Sequence, residues 1–296
     1  MGRVPETAMD ERPVLGVLGG TGLYAMAGLE NTERREVTTP FGAPSGPIVL
    51  GLLEGRPVAF LARHGESHRL NPSEVNYRAN VYALKAVGVE RVVAISACGS
   101  LRQEIEPGRL VVPDQLFDAT HARERSFFGQ GVVVHLSAPD PFCPALSDRL
   151  ASAAEAVGAP VTRGGTSITI EGPRFSTRAE SRAYRAWGMS IIGMTTSPEA
   201  FLAREAELCY AVLAHVTDYD VWHGEEQPVT VEMVVQQLRR NAAQAEAVIR
   251  QLVRQLPFPR ACACPGALKD AFVTTPSALS PEARQKLGLL VEHYLV

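Results

Sequence analysis

Two carboxylates lie two positions apart just after an apolar run in the C-terminal half of the chain. Asp218 and Asp220 follow residues 209–216 in the sequence TDYD. If the run stays extended, side chains two positions apart point to the same side. Neighbouring carboxylates raise the pKa of one partner, which can then stay protonated near neutral pH. The pair is therefore a candidate proton donor, although a DYD turn could simply cap a following helix.

Four earlier turns carry groups that suit a phosphate ion. Each follows a short apolar run, and together they supply Thr21; Arg63 and His64; Ser96 and Ala97; and Met194 with Thr195. Backbone amides freed by glycines cradle anions, and arginine adds a bidentate, permanently charged donor. A metal site would need carboxylates or thiolates at ligand spacing, so this set indicates a phosphate site. Taken alone, Arg63 and His64 could equally be a surface pair.

The segment 169–220 adds groups that suit a purine nucleoside. Its turns carry an aromatic side chain at Phe175, a hydroxyl at Ser176 and a thioether at Met194, before the carboxylate pair. Open α/β sheets place their ligands at the carboxyl ends of buried strands. We therefore expect this segment to hold a purine nucleoside, with a phosphate held beside it by the earlier turns.

The first glycine-rich turn has an alternative interpretation. Residues 20–25 fit the GxGxxG/A fingerprint of nicotinamide dinucleotide sites. That fingerprint requires a helix next, and then a strand that ends in an acidic residue about 20 positions on. The sequence GLENTERREVTTPFGAPSG follows instead, with no apolar helix face. Phosphate binding is the favoured interpretation, and a purely structural turn is the other alternative.

Hydrophobic patterning predicts the elements that position these groups. Strands are predicted within 13–22, at 91–95, 110–117, 161–170 and 209–216, and as a hairpin at 48–53 and 57–62. Helices are predicted at 72–87, 144–157, 177–187, 198–207, 229–256 and 281–295, with a long loop at 118–141. Strands that alternate with helices predict an α/β fold. Residues 1–12 are interpreted as a flexible polar leader and 13–296 as a single domain.

Composition argues against several classes of protein. The net charge of the 296 residues is −3, with both signs interspersed, whereas nucleic-acid surfaces normally show a basic stripe. No apolar run approaches the roughly 18 residues of a membrane span. The first residues, MGRVPETAMDER, lack the apolar core of a signal peptide. We expect a cytoplasmic protein without a nucleic-acid or membrane partner.

Five cysteines are scattered along the chain, at positions 98, 143, 209, 262 and 264. No two have the CxxC spacing of common zinc sites, so no metal site is expected. Cys262 and Cys264 are interpreted as free thiols in a loop, with a disulfide or redox role as the alternative. Cys98 and Cys209 lie in apolar runs and are interpreted as small core residues.

The chain resembles the trimeric purine nucleoside phosphorylase family in a series of ordered motifs. They are GGTGL, TPFG, RHG, VNYRAN, ACGSLR, DPFCP, TIEGPRFSTRAES, GMTTSPEAFLAREAELCYA and TDYDVW. They resemble the branch that converts 5′-methylthioadenosine and phosphate to adenine and 5-methylthioribose 1-phosphate. The resemblance implies a single α/β domain with a mixed, partly barrel-like central sheet flanked by helices. It also implies a salvage enzyme of the pentosyltransferase class, with phosphate as co-substrate and no cofactor, as a homotrimer or a hexamer of two paired trimers.

The resemblance also implies roles for individual residues. Phosphate contacts fall on Thr21, Arg63, His64, Ser96, Ala97 and Thr195. Asp218 is the candidate proton donor to purine N7, and Asp220 holds the exocyclic amine and the shared proton. For the rest of the substrate, Met194 lies under the ribose, Phe175 against the base and Ser176 near the purine edge. The 5′ pocket falls on His135, Val231 and Val235, with His135 reaching across from a neighbouring subunit.

The same resemblance bears on substrate choice. Members that prefer 6-oxopurines carry asparagine at the position of Asp218, because a carboxylate repels the purine O6. The sequence TDYD therefore favours adenine. It does not separate 5′-methylthioadenosine from adenosine or 2′-deoxyadenosine. A protein that binds a nucleoside without turnover is the remaining alternative.

Overall fold

A mixed sheet of eleven strands, with helices against both faces, forms the centre of the protein. The computed structural model describes residues 12–21, 23, 25–223 and 231–295, with the backbone alone at 231–240 and 276. The strands are β1 (Leu15–Gly19), β2 (Glu30–Arg35), β3 (Ile48–Leu53), β4 (Arg56–Ala62), β5 (Arg91–Ser100), β6 (Leu110–Val112), β7 (Gln115–Ala119), β8 (Val161–Arg163), β9 (Thr166–Ile170), β10 (Ile191–Gly193) and β11 (Cys209–Asp218). The helices are α1 (Tyr77–Ala86), α2 (Pro144–Ala156), α3 (Arg178–Ala186), α4 (Thr196–Glu205), α5 (Val231–Arg254) and α6 (Pro281–Val291). The predicted α/β class, with a mixed central sheet flanked by helices, is confirmed.

The sheet divides at β5, which has three strand partners. Along one edge it pairs in parallel with β11 over nearly its whole length. Its other edge is shared, since β1 pairs in parallel with residues 92–94 and β10 pairs antiparallel with residues 99 and 100. Between them, residues 95–98 have no strand partner on that edge within the described part of the chain. A break of this kind, where neighbouring strands diverge, is where α/β sheets open a crevice for a ligand.

The two central strands are apolar on both faces because both faces are covered. Val92 and Ala94 of β5 pack in one core with α1 and α4. Val93 and Ile95 point the other way, into a second core with α2 and α5. Successive side chains of a strand alternate between faces, so a strand buried on both sides is a continuous apolar run. The same rule explains the apolar run of β11.

Several predicted elements are confirmed within a residue or two of their bounds, and others are wrong in instructive ways. The predicted strand 110–117 is two strands, because Pro113 and Asp114 interrupt it between β6 and β7. The predicted strand 161–170 is also two strands, separated at Gly164 and Gly165, which both have positive φ. Glycine tolerates that conformation, which an extended strand does not contain. Because of each break, the two halves of one apolar run pair with different strands.

Two further predictions miss the bounds of an element. The predicted helix 72–87 begins only at α1, where the Asn76 side chain accepts a hydrogen bond from Ala79 N; the expected cap, Ser73, instead donates to Glu171. Strand β2 was not predicted, because its sequence ENTERR is charged and has no apolar alternation. Among the described residues it is a mostly exposed edge strand paired with β3. Edge strands commonly carry charge, which prevents pairing with other chains.

The long loop predicted at 118–141 is confirmed for most of its length. Between β7 and α2 the backbone contains one isolated bridge, from Val134 to Phe272, and no helix or strand among the described residues. The proposed leader 1–12 lies outside the described residues except for Arg12. None of the described helices combines the length and the apolar character needed to cross a membrane.

Candidate active site

A cavity of about 430 Å³ opens where the sheet divides. Its walls come from the ends of several strands and from the turn after β9, and they include eleven of the predicted site residues. These are Thr21, Arg63, His64, Ser96, Ala97, Phe175, Ser176, Met194, Thr195, Asp218 and Asp220. Segments far apart in the sequence therefore meet in one cavity, which is the arrangement that the strand-end argument requires.

Two hydroxyl groups face each other across the division of the sheet. Ser96 lies in the part of β5 that has no partner on one edge, and Thr195 precedes α4 as its N-cap residue. Their Oγ and Oγ1 atoms are 3.2 Å apart, and both side chains are buried. The Thr195 side chain makes no capping hydrogen bond to its own helix. Both hydroxyls can therefore turn towards an anion in the cavity.

Arg63 lies at the cavity wall, but its bidentate edge is already occupied. Its Nε donates to Glu199 Oε2 at 2.7 Å and one terminal nitrogen donates to Glu199 Oε1 at 2.8 Å. The other terminal nitrogen donates to the Ile95 carbonyl oxygen at 3.1 Å. Both charged side chains are at most 1% exposed. A guanidinium has five N–H groups, so two remain for a ligand. One edge of the guanidinium is thus taken by Glu199, and a contact with phosphate is left to the two remaining terminal N–H groups.

Glu199 is a functional residue that the sequence reasoning missed. Besides Arg63, its Oε1 accepts a hydrogen bond from the Tyr210 hydroxyl at 2.7 Å. Burial acts to lower the pKa of Arg63, but the charge and hydrogen bonds of Glu199 outweigh it and raise that pKa. The only signal in the sequence is a carboxylate within the apolar stretch SPEAFLA, which is unusual for a side chain that is seldom buried without a partner.

His64 is neutral at the cavity wall. Burial lowers its pKa to about 3, and the neighbouring charges of Arg63 and His68 act in the same direction. Its Nδ1 lies 2.9 Å from the Leu70 carbonyl oxygen, which can only accept, so Nδ1 carries the proton. Nε2 is then an acceptor. His64 in this state can contact phosphate only through a P–OH group, and not as a donor to a dianion.

The carboxylate pair lies at the end of β11, and the chain turns between its two members. Asp218 Oδ1 accepts the backbone N–H of Asp220 at 2.7 Å, and its Oδ2 accepts the Thr217 hydroxyl at 2.6 Å. Asp220 itself has a φ of 52°, so the extended geometry expected for the pair is wrong. A register shift between β11 and β5 just before Asp218 also changes the direction of the end of β11. Both carboxylates nevertheless line the cavity.

The structure places the raised pKa on the second carboxylate. Asp220 is 9% exposed, and burial, together with the nearby charge of Asp218, raises its pKa. Asp218 accepts a hydrogen bond at each of its two oxygens. The raised pKa makes Asp220 a second candidate proton donor, beside Asp218, the residue to which the sequence analysis gave that role.

The turn after β9 supplies the remaining wall of the cavity. Phe175 is 43% exposed there, and Ser176 Oγ is buried without a hydrogen-bond partner among the described residues. An unpaired buried hydroxyl costs free energy until a ligand or water pairs with it. Met194 completes this wall from the end of β10. An aromatic ring and an unpaired hydroxyl suit the face and the edge of a heterocyclic base.

Arg123, from the long loop, holds this wall together. One terminal nitrogen donates to the carbonyl oxygens of Met194 and Ser197, both at 2.7 Å, and the other donates to the Glu171 carbonyl oxygen at 2.6 Å. Its Nε donates to the Glu171 carboxylate at 3.1 Å. Hydrogen bonds and burial fix the guanidinium, so Arg123 positions the turns after β9 and β10. In the sequence analysis Arg123 falls within the long loop at 118–141 and has no role.

Of the three residues predicted for the 5′ pocket, His135 has a described side chain, and it does not line the cavity. His135 is exposed, and its backbone N–H donates to the Ala271 carbonyl oxygen at 2.8 Å, outside the cavity lining. The side chains of Val231 and Val235 lie outside the described residues. Within this chain, His135 as a site residue is therefore not supported, which leaves the predicted contact from a neighbouring subunit.

The cavity holds two facing hydroxyl groups and the partly occupied guanidinium of Arg63, together with a carboxylate pair and an aromatic side chain. This set suits an enzyme that transfers a sugar between a base and phosphate. The chain belongs to the Phosphorylase superfamily, whose family model matches residues 14–254.

Individual relatives are similar over nearly the whole chain. An S-methyl-5′-thioadenosine phosphorylase of Geobacter sulfurreducens is 50% identical over 283 residues, which cover 95% of this chain and 99% of the relative. A protein of the same name from Chloroflexus aurantiacus is 50% identical over 281 residues, covering 95% and 98%.

Solved structures give the same picture. A methylthioadenosine phosphorylase from an antarctic soil metagenomic library has a TM-score of 0.88 at 46% identity and covers 94% of this chain and 98% of its own. Methylthioadenosine phosphorylase from Schistosoma mansoni in complex with adenine has a TM-score of 0.79 at 39% identity, covering 81% and 91%.

Proposed function

We propose that the protein cleaves 5′-methylthioadenosine with inorganic phosphate to give adenine and 5-methylthioribose 1-phosphate. The observation that carries this proposal is the single cavity with an anion site at one end and a carboxylate pair at the other. Similarity over nearly the whole chain to phosphorylases of methylthioadenosine supports this choice of substrate.

The chemistry requires charge stabilisation on both sides of the glycosidic bond. As the bond from N9 to C1′ breaks, its electron pair moves to the purine and the sugar becomes oxocarbenium-like. Phosphate stabilises the cation and then bonds to C1′ through one oxygen. A proton delivered to purine N7 neutralises the leaving base. The step is balanced without a redox partner, so phosphate is a co-substrate and no further cofactor is needed.

The residues of the cavity take distinct parts in this reaction. Ser96, Thr195 and the two remaining N–H groups of Arg63 hold phosphate, and Thr21 and Ala97 line the same end. Asp220 supplies the proton because its pKa is raised by burial. Asp218, beside it, can accept a hydrogen bond from the exocyclic amine of adenine. General acid catalysis of this kind typically contributes ~10²–10⁴-fold to the rate.

The 5′ group and the assembly belong to the same proposal. We infer that the protein works as a homotrimer in the cytoplasm, in purine and methionine salvage, and that His135 of one subunit reaches the 5′ pocket of the next. Support comes from the exposure of His135 on this chain and from exposed apolar side chains, such as Val133, in the same loop. Size-exclusion chromatography with light scattering tests the trimer directly.

A substrate panel with and without phosphate tests the function. Adenine release should be measured from 5′-methylthioadenosine, adenosine and 2′-deoxyadenosine, and base release from inosine and guanosine. We expect fast release of adenine from 5′-methylthioadenosine only with phosphate, with 5-methylthioribose 1-phosphate identified by mass spectrometry. Equal release in phosphate-free buffer would show a hydrolase, faster cleavage of inosine a 6-oxopurine enzyme, and binding without turnover a nucleoside-binding protein. Thermal stabilisation by NAD but not by phosphate would show a dinucleotide site.

A further inference from the structure

Four of the five cysteines converge at the end of β11 that lies away from the cavity. The Sγ atoms of Cys143, Cys209, Cys262 and Cys264 all lie within 4.8 Å of one another. Cys209 begins β11 and Asp218 ends it, and a ten-residue strand spans about 30 Å at ~3.3 Å per residue. The cluster is therefore remote from the carboxylate pair. Sequence spacing gave no sign of this cluster, because its residues come from three separate segments.

The three segments are held firmly enough to preorganise the sulfur atoms. Cys143 is the N-cap residue of α2, and its backbone N–H donates to the Tyr210 carbonyl oxygen at 2.8 Å. Cys209 is fixed by the sheet, where its N–H donates to the Glu90 carbonyl oxygen at 3.0 Å. Cys262 and Cys264 lie at a short 3₁₀ turn after α5. Three of the four are buried and Cys262 is half-buried.

The spacing of the sulfur atoms fits a tetrahedral ion. A Zn–S bond of about 2.3 Å gives edges of about 3.8 Å between the sulfurs of a tetrahedral four-thiolate site. The Sγ atoms of Cys209 and Cys262 are 3.4 Å apart, and no pair exceeds 4.8 Å. A disulfide would need two sulfurs at about 2.05 Å, whereas all the cysteines of the cluster are free thiols here. Four sulfurs around a common centre are the ligand set that zinc takes in structural sites.

Two arginines next to the cluster supply the charge that such a site needs. Four thiolates around a divalent ion carry a net charge of −2, which is costly to bury without compensation. Arg204 donates through a terminal nitrogen to Cys264 Sγ at 3.5 Å, and Arg260 lies beside Cys209. The Nε atoms of both arginines are buried without hydrogen-bond partners among the described residues.

We propose that Cys143, Cys209, Cys262 and Cys264 bind a tetrahedral zinc ion that ties the segment after α5 to the sheet and to α2. On binding, the four thiols release four protons to solvent and form four Zn–S bonds, with no change of oxidation state. All four positions are filled by protein sulfur, so the ion has a structural role and leaves no position for a substrate.

Metal analysis of untagged protein tests the proposal. The chain should be produced in zinc-supplemented medium and purified under reducing conditions without chelators. Elemental mass spectrometry should then find about one zinc per chain. Cys262→Ser, at the most exposed ligand, should lose most of it. The matched control is Cys98→Ser, which alters the one cysteine outside the cluster and should keep the ion.

A second measurement keeps the test decisive if the Cys262 variant folds poorly. Wild-type protein stripped of zinc and loaded with Co²⁺ should show thiolate-to-cobalt charge transfer and the strong visible bands of tetrahedral cobalt. The proposal is overturned if the intact reduced chain holds no stoichiometric metal and gives no such bands. It is equally overturned if the purified protein is lighter by two hydrogens for each of two disulfides within the cluster. Neither result depends on nucleoside cleavage, so the outcome is independent of the proposed function.

Discussion

Glu199→Gln tests how much the buried ion pair at the cavity wall contributes to the free energy of unfolding. The substitution keeps the size of the side chain but removes its charge, and it turns one acceptor into a donor that faces Arg63 or the Tyr210 hydroxyl. The Arg63 guanidinium, 1% exposed, is then left without its counter-charge. Removing one partner of a buried pair costs about 3–5 kcal/mol. At about 1.4 kcal/mol per tenfold, the unfolding equilibrium constant should rise by two to nearly four orders of magnitude.

The chain contains a matched control for this substitution. Glu155 binds Arg163 with the same bidentate geometry, at 2.8 Å to Nε and 2.8 Å to a terminal nitrogen. Both of these side chains are largely exposed. Exposed pairs contribute little because water and salt screen them. Glu155→Gln should therefore leave the free energy of unfolding almost unchanged, and the two variants differ mainly in burial.

Urea unfolding of both variants, with and without saturating phosphate, is the assay. We expect a large loss for Glu199→Gln alone, and a larger stabilisation by phosphate than in wild type, because the dianion meets a guanidinium whose charge is no longer cancelled. If Glu199→Gln lost no more stability than Glu155→Gln, the burial argument would be refuted. If phosphate stabilised wild type and Glu199→Gln by the same free energy, Arg63 would have no part in binding phosphate.

Three further outcomes follow from the site and its surroundings. Asp220→Asn should lower kcat/KM for 5′-methylthioadenosine by ~10²–10⁴-fold and remove the acidic group from the pH–rate profile, whereas the exposed Asp148→Asn should do neither. Gly99→Ala should lower activity and stability, since a new Cβ would lie 3.0 Å from Asp218 Oδ1 and 3.3 Å from Asp220 Cβ; wild-type activity with normal folding would contradict this packing. Burial raises the pKa of Glu205 from 4.5 to about 7, so the native state keeps a proton that the unfolded state has lost, and stability should fall as pH rises across that window. Glu205→Gln should flatten this fall in urea titrations at several pH values, and an unchanged slope would exclude Glu205 as its source.

The parts of the site that could be predicted share one feature, which is that each depends on local sequence. Thr195 follows an apolar run that becomes a strand, and a turn at the end of a buried strand faces the same edge of the sheet as its neighbours. Ser96 follows the apolar first half of β5, although it lies within that strand and not in a turn after it. The hairpin that precedes Arg63 could be predicted for the same reason. Long apolar runs have only one way to bury both faces, so their ends are well defined.

The parts that could not be predicted depend on how distant segments dock. Glu199 meets Arg63 across 136 positions, and no pattern in either segment indicates the other. The assignment of the raised pKa to Asp220 depends on the turn after β11, which buries this carboxylate while Asp218 receives hydrogen bonds. Spacing rules for cysteines fail in the same way, since the cluster is assembled from three segments and not from one motif.

Strand β5 explains why the cavity forms where it does. Its first half, RVVAI, contains three β-branched residues and pairs with β1 on one edge and β11 on the other. Its second half, SACGS, consists of small side chains, and there β1 leaves the edge before β10 joins it in the opposite direction. Large side chains at these positions would fill the gap, as they do in a core strand. The change from branched to small residues along one strand therefore lets Ser96 reach a ligand and lets the end of β11 approach Gly99 closely. It follows that enlarging Gly99 should close the cavity from within, without any change to the groups that contact phosphate.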